Sequence, residues 1–115
     1  MTTATELLAR HCRHQTQALT PQEVADLLQA VPEWRLENQR ISRTFDFKNY
    51  FRTMAFVNAI AYVFHAEDHH PDLLVTYKQC SVTFHTHSVG GGLSENDFIC
   101  AAKVDAIYQQ AAEPA

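Results

Sequence analysis

The chain has 115 residues, a formal net charge of −4 with neutral histidines, and 46% hydrophobic residues. That length supports one domain with a buried core and is too short for two. The ordinary apolar fraction speaks against extended disorder, and the negative balance is the wrong sign for non-specific nucleic-acid binding. The apolar stretch without Asp, Glu, Lys or Arg, Thr53–Ala66, falls short of the roughly 20 apolar residues that a bilayer span needs.

Three cysteines, Cys12, Cys80 and Cys100, form no CxxC and are odd in number, so disulfide scaffolding is not expected. MTTATELLAR lacks a basic start followed by an apolar run, which argues against a secretory signal. A cytoplasmic protein with a small-molecule or protein partner is expected, with neither direct nucleic-acid contact nor a membrane.

Residues 1–19 read as a partly helical N-terminal extension, with a short helix over Glu6–Arg13 and a frayed Met1–Thr5. The main domain is expected over 20–112. It opens at Thr20-Pro21-Gln22-Glu23, a capping box with proline at the first helical position and Leu19 and Val24 placed as a hydrophobic staple. Val24, Leu27, Leu28 and Val31 give that helix one apolar face, and Pro32 ends it. Trp34–Glu37 and Ile41–Phe47 read as strands joined by a turn at Asn38-Gln39-Arg40.

A long helix follows from about Lys48 to Ala66. Phe47, Tyr50, Met54, Val57, Ala61 and Phe64 form one stripe, and Phe56, Ile60 and Val63 a second beside it. So wide an apolar arc is covered on more than one side, either as a central core helix or at a subunit contact. Leu73–Tyr77 and Cys80–His87 then read as a hairpin turning at Lys78-Gln79. Ser94-Glu-Asn-Asp97 is a further capping box, opening a helix with Cys100, Val104, Ile107 and Ala111 on one face. The order α-β-β-α-β-β-α implies an α+β fold, a four-stranded antiparallel sheet with helices packed on one face.

Five of the seven histidines fall between His65 and His87, in His65-Ala-Glu-Asp68-His69-His70-Pro71 and His85-Thr-His87. Imidazole titrates near pH 6.5 and is suited to moving protons at neutral pH. A turn at Lys78-Gln79 would pair Tyr77 with Cys80, Val75 with Val82 and Leu73 with Phe84 on the inner face, and would set His70 opposite His87 on the outer one. A convergent set on a polar face fits acid–base catalysis better than solvated histidines without a task. Metal binding is the weaker alternative: His65 and His69 are spaced i, i+4, but there is no HExxH, no cysteine near enough to complete a familiar pattern, and Pro71 disrupts the helix just beyond.

His65-x3-His69-His70-Pro71-x5-Tyr77-x9-His87-x9-Asp97 resembles the signature of the pterin-4a-carbinolamine dehydratases, and the resemblance spans roughly Leu19 to Tyr108. It implies metal-free and cofactor-free dehydration of 4a-hydroxytetrahydropterin to quinonoid dihydropterin, a product recycled for aromatic amino-acid hydroxylases. It also implies a homo-oligomer, dimer or tetramer, formed through sheet and helix. By the same resemblance His69, His70 and His87 are the catalytic histidines. Asp68, His85, Thr86 and Ser88 belong to its substrate-contacting segments, and His65 stands where many members carry Glu.

Within that set His69 is the expected principal proton carrier, with His87 as its complement, His70 polarising the substrate and Asp68 a candidate to fix an imidazole tautomer. Asp97 reads as a helix cap ahead of a reacting group. Since the resemblance includes proteins that stabilise a transcription factor's dimer, a non-catalytic partner-binding module is the rival reading.

Overall fold

Reciprocal capping boxes start the first two helices. The fold is that of a computed structural model, which describes residues 1–111. α1 spans Ala4–Leu8 and α2 spans Pro21–Leu28; in each, a threonine hydroxyl (Thr3, Thr20) accepts from the backbone of a glutamate (Glu6, Glu23) whose carboxylate reaches back to the cap N–H. The helix expected over Glu6–Arg13 therefore begins and ends earlier. Thr3-Ala-Thr-Glu6 is a start signal that the sequence reading passed over, and Leu7 is fully buried. The expected domain end at 112 lies outside the described residues.

β1 (Arg35–Glu37), β2 (Arg40–Asp46), β3 (Asp72–Val75) and β4 (Gln79–Phe84) form an antiparallel sheet in the order β1-β2-β4-β3. α3 (Tyr50–Glu67) and α4 (Glu95–Ala111) cover one face, giving the α+β architecture expected from the element order. Phe45 of β2 shows how the layers meet: its ring lies 4.9 Å from Phe56 of α3 and 4.8 Å from Tyr108 of α4. On α4, Cys100 and Val104 are buried and Ile107 half-buried, while the expected fourth position of that face, Ala111, lies outside the described side chains. Among the described residues no helix is long and apolar enough to cross a membrane.

The two stripes of α3 exchange the weights that the sequence suggests. Thr53, Phe56, Ile60, Val63 and Glu67 are the buried positions, whereas Tyr50 is 44% exposed and Ala61 lies in solvent. Phe56, Ile60 and Val63 thus belong to the domain core, and the subunit contact considered for them does not hold.

The β3–β4 turn is Tyr77-Lys78, one residue earlier than expected, so Val75 pairs with Cys80, Leu73 with Val82 and Asp72 with Thr83. Moving a two-residue turn by one position shifts every partner by two, which keeps each side chain on its face. Cys80, Val82 and Phe84 accordingly point inward and are fully buried. The pairing of Tyr77 with Cys80 is lost, as is that of His70 with His87.

Tertiary contacts hold the turn in place. The Thr53 hydroxyl donates to Tyr77 O at 3.0 Å, Phe47 N–H donates to Lys78 O at 2.8 Å, and Tyr50 stacks on Tyr77. At the other hairpin Asn38 and Gln39 both have positive φ (51° and 60°), the geometry of a type I′ turn.

The inner face is testable against its neighbour. Val82→Asp should destabilise the fold by about 3 kcal/mol or more, as an unpaired charge in the core does, while Thr83→Asp should keep most of the stability. Urea midpoints decide it, and the reverse order would invert the faces.

Candidate active site

The site begins where α3 ends. Asp68 adopts the left-handed conformation (φ 51°, ψ 43°), its N–H donates to His65 O, and the next N–H, of His69, donates to Phe64 O at 3.2 Å. These are the paired bonds of a Schellman motif, and aspartate tolerates its left-handed position better than most side chains. The reversal lays the His69 ring parallel to Phe84, tilted by 7° with centroids 5.9 Å apart. Phe64 meets the same Phe84 edge-on. His69 is thereby held by packing as well as by its backbone.

A buried carboxylate fixes the ring's orientation. His69 Nε2 donates to Asp97 Oδ1 at 2.7 Å, and Asp97 is fully buried in the first turn of α4. Its second oxygen accepts from the Ser94 N–H at 3.0 Å and from the Thr86 hydroxyl at 2.8 Å. Thr86 Oγ1 also lies 2.8 Å from Ser94 Oγ; with its own proton given to Asp97, Thr86 accepts there and Ser94 donates. Asp97 is therefore both helix cap and orienting partner of a histidine, one oxygen for each role. Asp68, expected as a candidate for the second role, is the exposed pivot of the turn instead.

Asp68, His69, His70, His85, Thr86, His87 and Ser88 all line one cavity of about 320 Å³. That is the lower end of the range for small-molecule sites. His65 is not among its lining residues and is exposed on α3. Since α3 stops at Glu67, His69 leaves the helix face that an i, i+4 pair with His65 would need. Among the described residues no three His, Cys, Asp or Glu side chains are grouped so as to hold a metal ion.

His87 opens a 3₁₀ turn (His87–Val89), and its ring lies 4.6 Å from that of His85. The glycine loop beyond folds back on Thr86, whose N–H donates to Gly92 O at 2.8 Å; Gly90 and Gly91 supply the positive φ values (77° and 84°) that the return requires.

A further part of the wall comes from the N-terminal extension, to which the sequence assigns no role in the site. Cys12, Arg13, His14 and Gln15 line the cavity. Glu67 is the anchor of this strap: its carboxylate accepts from Cys12 N–H at 2.7 Å, from His11 Nδ1 at 3.0 Å and from Lys103 Nζ at 3.0 Å. Burial alone would raise its pKa, but those three partners hold it down at about 2. Asn96 grips the next residue from both sides, accepting from Arg13 N–H and donating to Arg13 O, and the Ser88 hydroxyl donates to Gln15 O at 2.6 Å. One sequence signal did exist. Glu67 continues the Phe56, Ile60, Val63 stripe, so a charge falls on the core face of α3 and calls for partners.

Fold and cavity together define a small α+β protein with an imidazole-lined pocket of small-molecule size. Residues 17–107 match the family described as Pterin 4 alpha carbinolamine dehydratase. A Bdellovibrio bacteriovorus protein named as a candidate pterin-4-alpha-carbinolamine dehydratase is 53% identical over 110 residues, covering 93% of this chain and 92% of its own length. A Nitrosomonas eutropha protein of the same name is 54% identical over 109 residues, covering 91% and 96%. The crystal structure of a "transcriptional coactivator/pterin dehydratase" from Brucella melitensis matches with a TM-score of 0.76 at 32% identity, covering 80% of this chain and 99% of that one. The chain belongs to the pterin-4-alpha-carbinolamine dehydratase family. A pterin dehydratase-like RuBisCO assembly factor shares the fold alone, with a TM-score of 0.55 and 24% identity over 65% of this chain and 86% of its own.

Burial holds the His85 imidazole below its ordinary pKa, with Arg40 and His87 adding to the effect against Asp72 and Asp97, and its Nδ1 is buried with no hydrogen-bond partner among the described residues. A base depressed in this way gives stability that is complete above its unfolded pKa of about 6.5 and is lost as pH falls through the lower folded value. The urea midpoint should fall between pH 7 and pH 5, and His85→Gln should reduce that fall; an unchanged fall would remove His85 as its source.

Proposed function

We propose that this protein dehydrates 4a-hydroxytetrahydropterin to quinonoid dihydropterin by histidine acid–base catalysis, in recycling of the pterin used by aromatic amino-acid hydroxylases. The observation that carries this reading is the His69–Asp97 pair at the cavity wall. Because a carboxylate can only accept, Nε2 of His69 holds the proton of that bond and leaves Nδ1 as the acceptor of the neutral ring.

The elimination breaks the C4a–O bond and the N5–H bond and makes a C4a=N5 double bond, with no change of overall oxidation state. It needs a base at nitrogen and an acid at the departing hydroxyl, and no cofactor. His69 is the base, through Nδ1. His87, which lines the same cavity, is the acid that turns the leaving hydroxyl into water, and His70 polarises the substrate. Asp68 and His85 remain as substrate contacts, and Ser88, whose proton goes to Gln15 O, remains as one through its oxygen as acceptor. Thr86 acts through Asp97, since its hydroxyl is already committed, and His65 is set aside because it lies outside the cavity. The reading includes a cytoplasmic location.

His69→Ala and His87→Ala should each lower turnover roughly 10²-fold or more with the fold retained, the usual contribution of a positioned acid or base. The assay is dehydration of freshly generated 4a-hydroxytetrahydropterin, and chelator should leave the rate unchanged. Full activity in either folded variant would overturn the assignment.

We further propose that the protein self-associates through β3. This edge strand leaves Leu74 65% exposed and Leu73 and Val75 more than a third exposed, with Tyr77 at its end 64% exposed. An unprotected apolar edge pairs readily with its own copy about a two-fold axis. Leu74→Glu should shift the protein toward monomer in analytical ultracentrifugation. A wild-type monomer at micromolar concentration would sink the idea.

A further inference from the structure

The strap that walls the cavity carries a thiol against a second one. Cys12 Sγ lies 3.5 Å from Cys100 Sγ, although the two residues are 88 apart in sequence. Cys12 is half-buried at the cavity, whereas Cys100 is fully buried on α4. Cys12 is tied through its N–H to Glu67 and through its neighbour Arg13 to Asn96 of α4, and Cys100 lies four residues further along the same helix.

We propose that Cys12 and Cys100 form a reversible disulfide under peroxide, a modification site that locks the N-terminal strap onto α4 beside the pocket. The accessible Cys12, as thiolate, attacks one peroxide oxygen; the O–O bond breaks, hydroxide leaves, and Cys12 becomes a sulfenic acid. Cys100 sulfur then attacks the Cys12 sulfur, the S–S bond forms, and the sulfenic oxygen leaves as water with the Cys100 proton. Two thiols and one hydrogen peroxide thus give one disulfide and two waters, with sulfur oxidised and peroxide reduced.

Closing from the present separation to a bond of about 2.05 Å requires a movement of roughly 1.5 Å. The strap supplies this movement, since it is tied by a few hydrogen bonds while α4 belongs to the core. The Cys12 contact and burial raise the Cys100 thiol pKa, which leaves the initiating attack on peroxide to Cys12. Cys80, fully buried on β4, is a built-in control.

The test is hydrogen peroxide on the native full chain, followed by non-reducing peptide mapping and hydrogen exchange. The proposal expects a linked Cys12–Cys100 peptide, loss of two hydrogens from the intact mass, recovery with a thiol reductant, and an untouched Cys80. It also expects amide exchange in residues 10–15 to slow by about tenfold or more, as a cross-link to a core helix suppresses local opening. Cys100→Ser should abolish the slowing, and should that variant fail to fold, the wild-type map and exchange still decide. Oxidation of Cys12 to sulfinic acid with Cys100 free, or Cys12-linked dimers alone, would overturn it. These readouts are independent of turnover, so an absent dehydratase activity would bear on the proposed reaction and leave the latch standing.

Discussion

The carboxylate of Asp97 is the constraint on which the site depends. It closes the first turn of α4 by accepting the Ser94 N–H, holds Thr86 by its hydroxyl, and turns the His69 ring, so three chain segments meet on two oxygens. A buried carboxylate with fewer partners would be costly, because desolvation is compensated only by hydrogen bonds of good geometry. Stability and site geometry are therefore coupled here. The bonds that make burial of Asp97 tolerable are the same ones that fix which nitrogen of His69 carries its proton.

Glu67 repeats the logic one residue before the pivot. It anchors the strap by Cys12 N–H, and through Lys103 it ties the end of α3 to α4. Glu67, Asp68 and His69 are consecutive yet do three different things: a buried anchor, a left-handed pivot and an imidazole at the cavity. The Schellman reversal makes this possible, because it sends side chains that a continuing helix would separate by about 100° each toward different parts of the fold.

Much of this architecture was legible locally. Capping boxes at Thr20 and Ser94 mark helix starts, and alternation along Cys80–Phe84 fixes which face is inward. Face survives an error in the turn because it depends on parity, whereas partner identity does not. The turn position was hidden because Thr53, Phe47 and Tyr50 choose it, and those contacts reach across some 24 to 31 residues. The histidine cluster was legible from spacing, but for the wrong pairing. The ladder stops at Asp72–Thr83, so the site is assembled by the α3 reversal and the glycine loop rather than by strand register.

The strap shows what periodicity cannot convey. Arg10 to Gln15 has no apolar pattern, and its place is set by backbone groups meeting Glu67, Asn96 and Ser88 together with polar side-chain contacts of Arg10, His11 and Gln15. Arg13 docks through its backbone N–H and C=O, which leaves its side chain free to vary without loss of those bonds. The matched family segment begins at residue 17, after the strap, while the histidines and Asp97 lie inside it. The arrangement separates the His69–Asp97 pair, held by the core, from a part of the cavity wall added by the extension, so that side-chain changes in that wall alter the cavity without disturbing the pair.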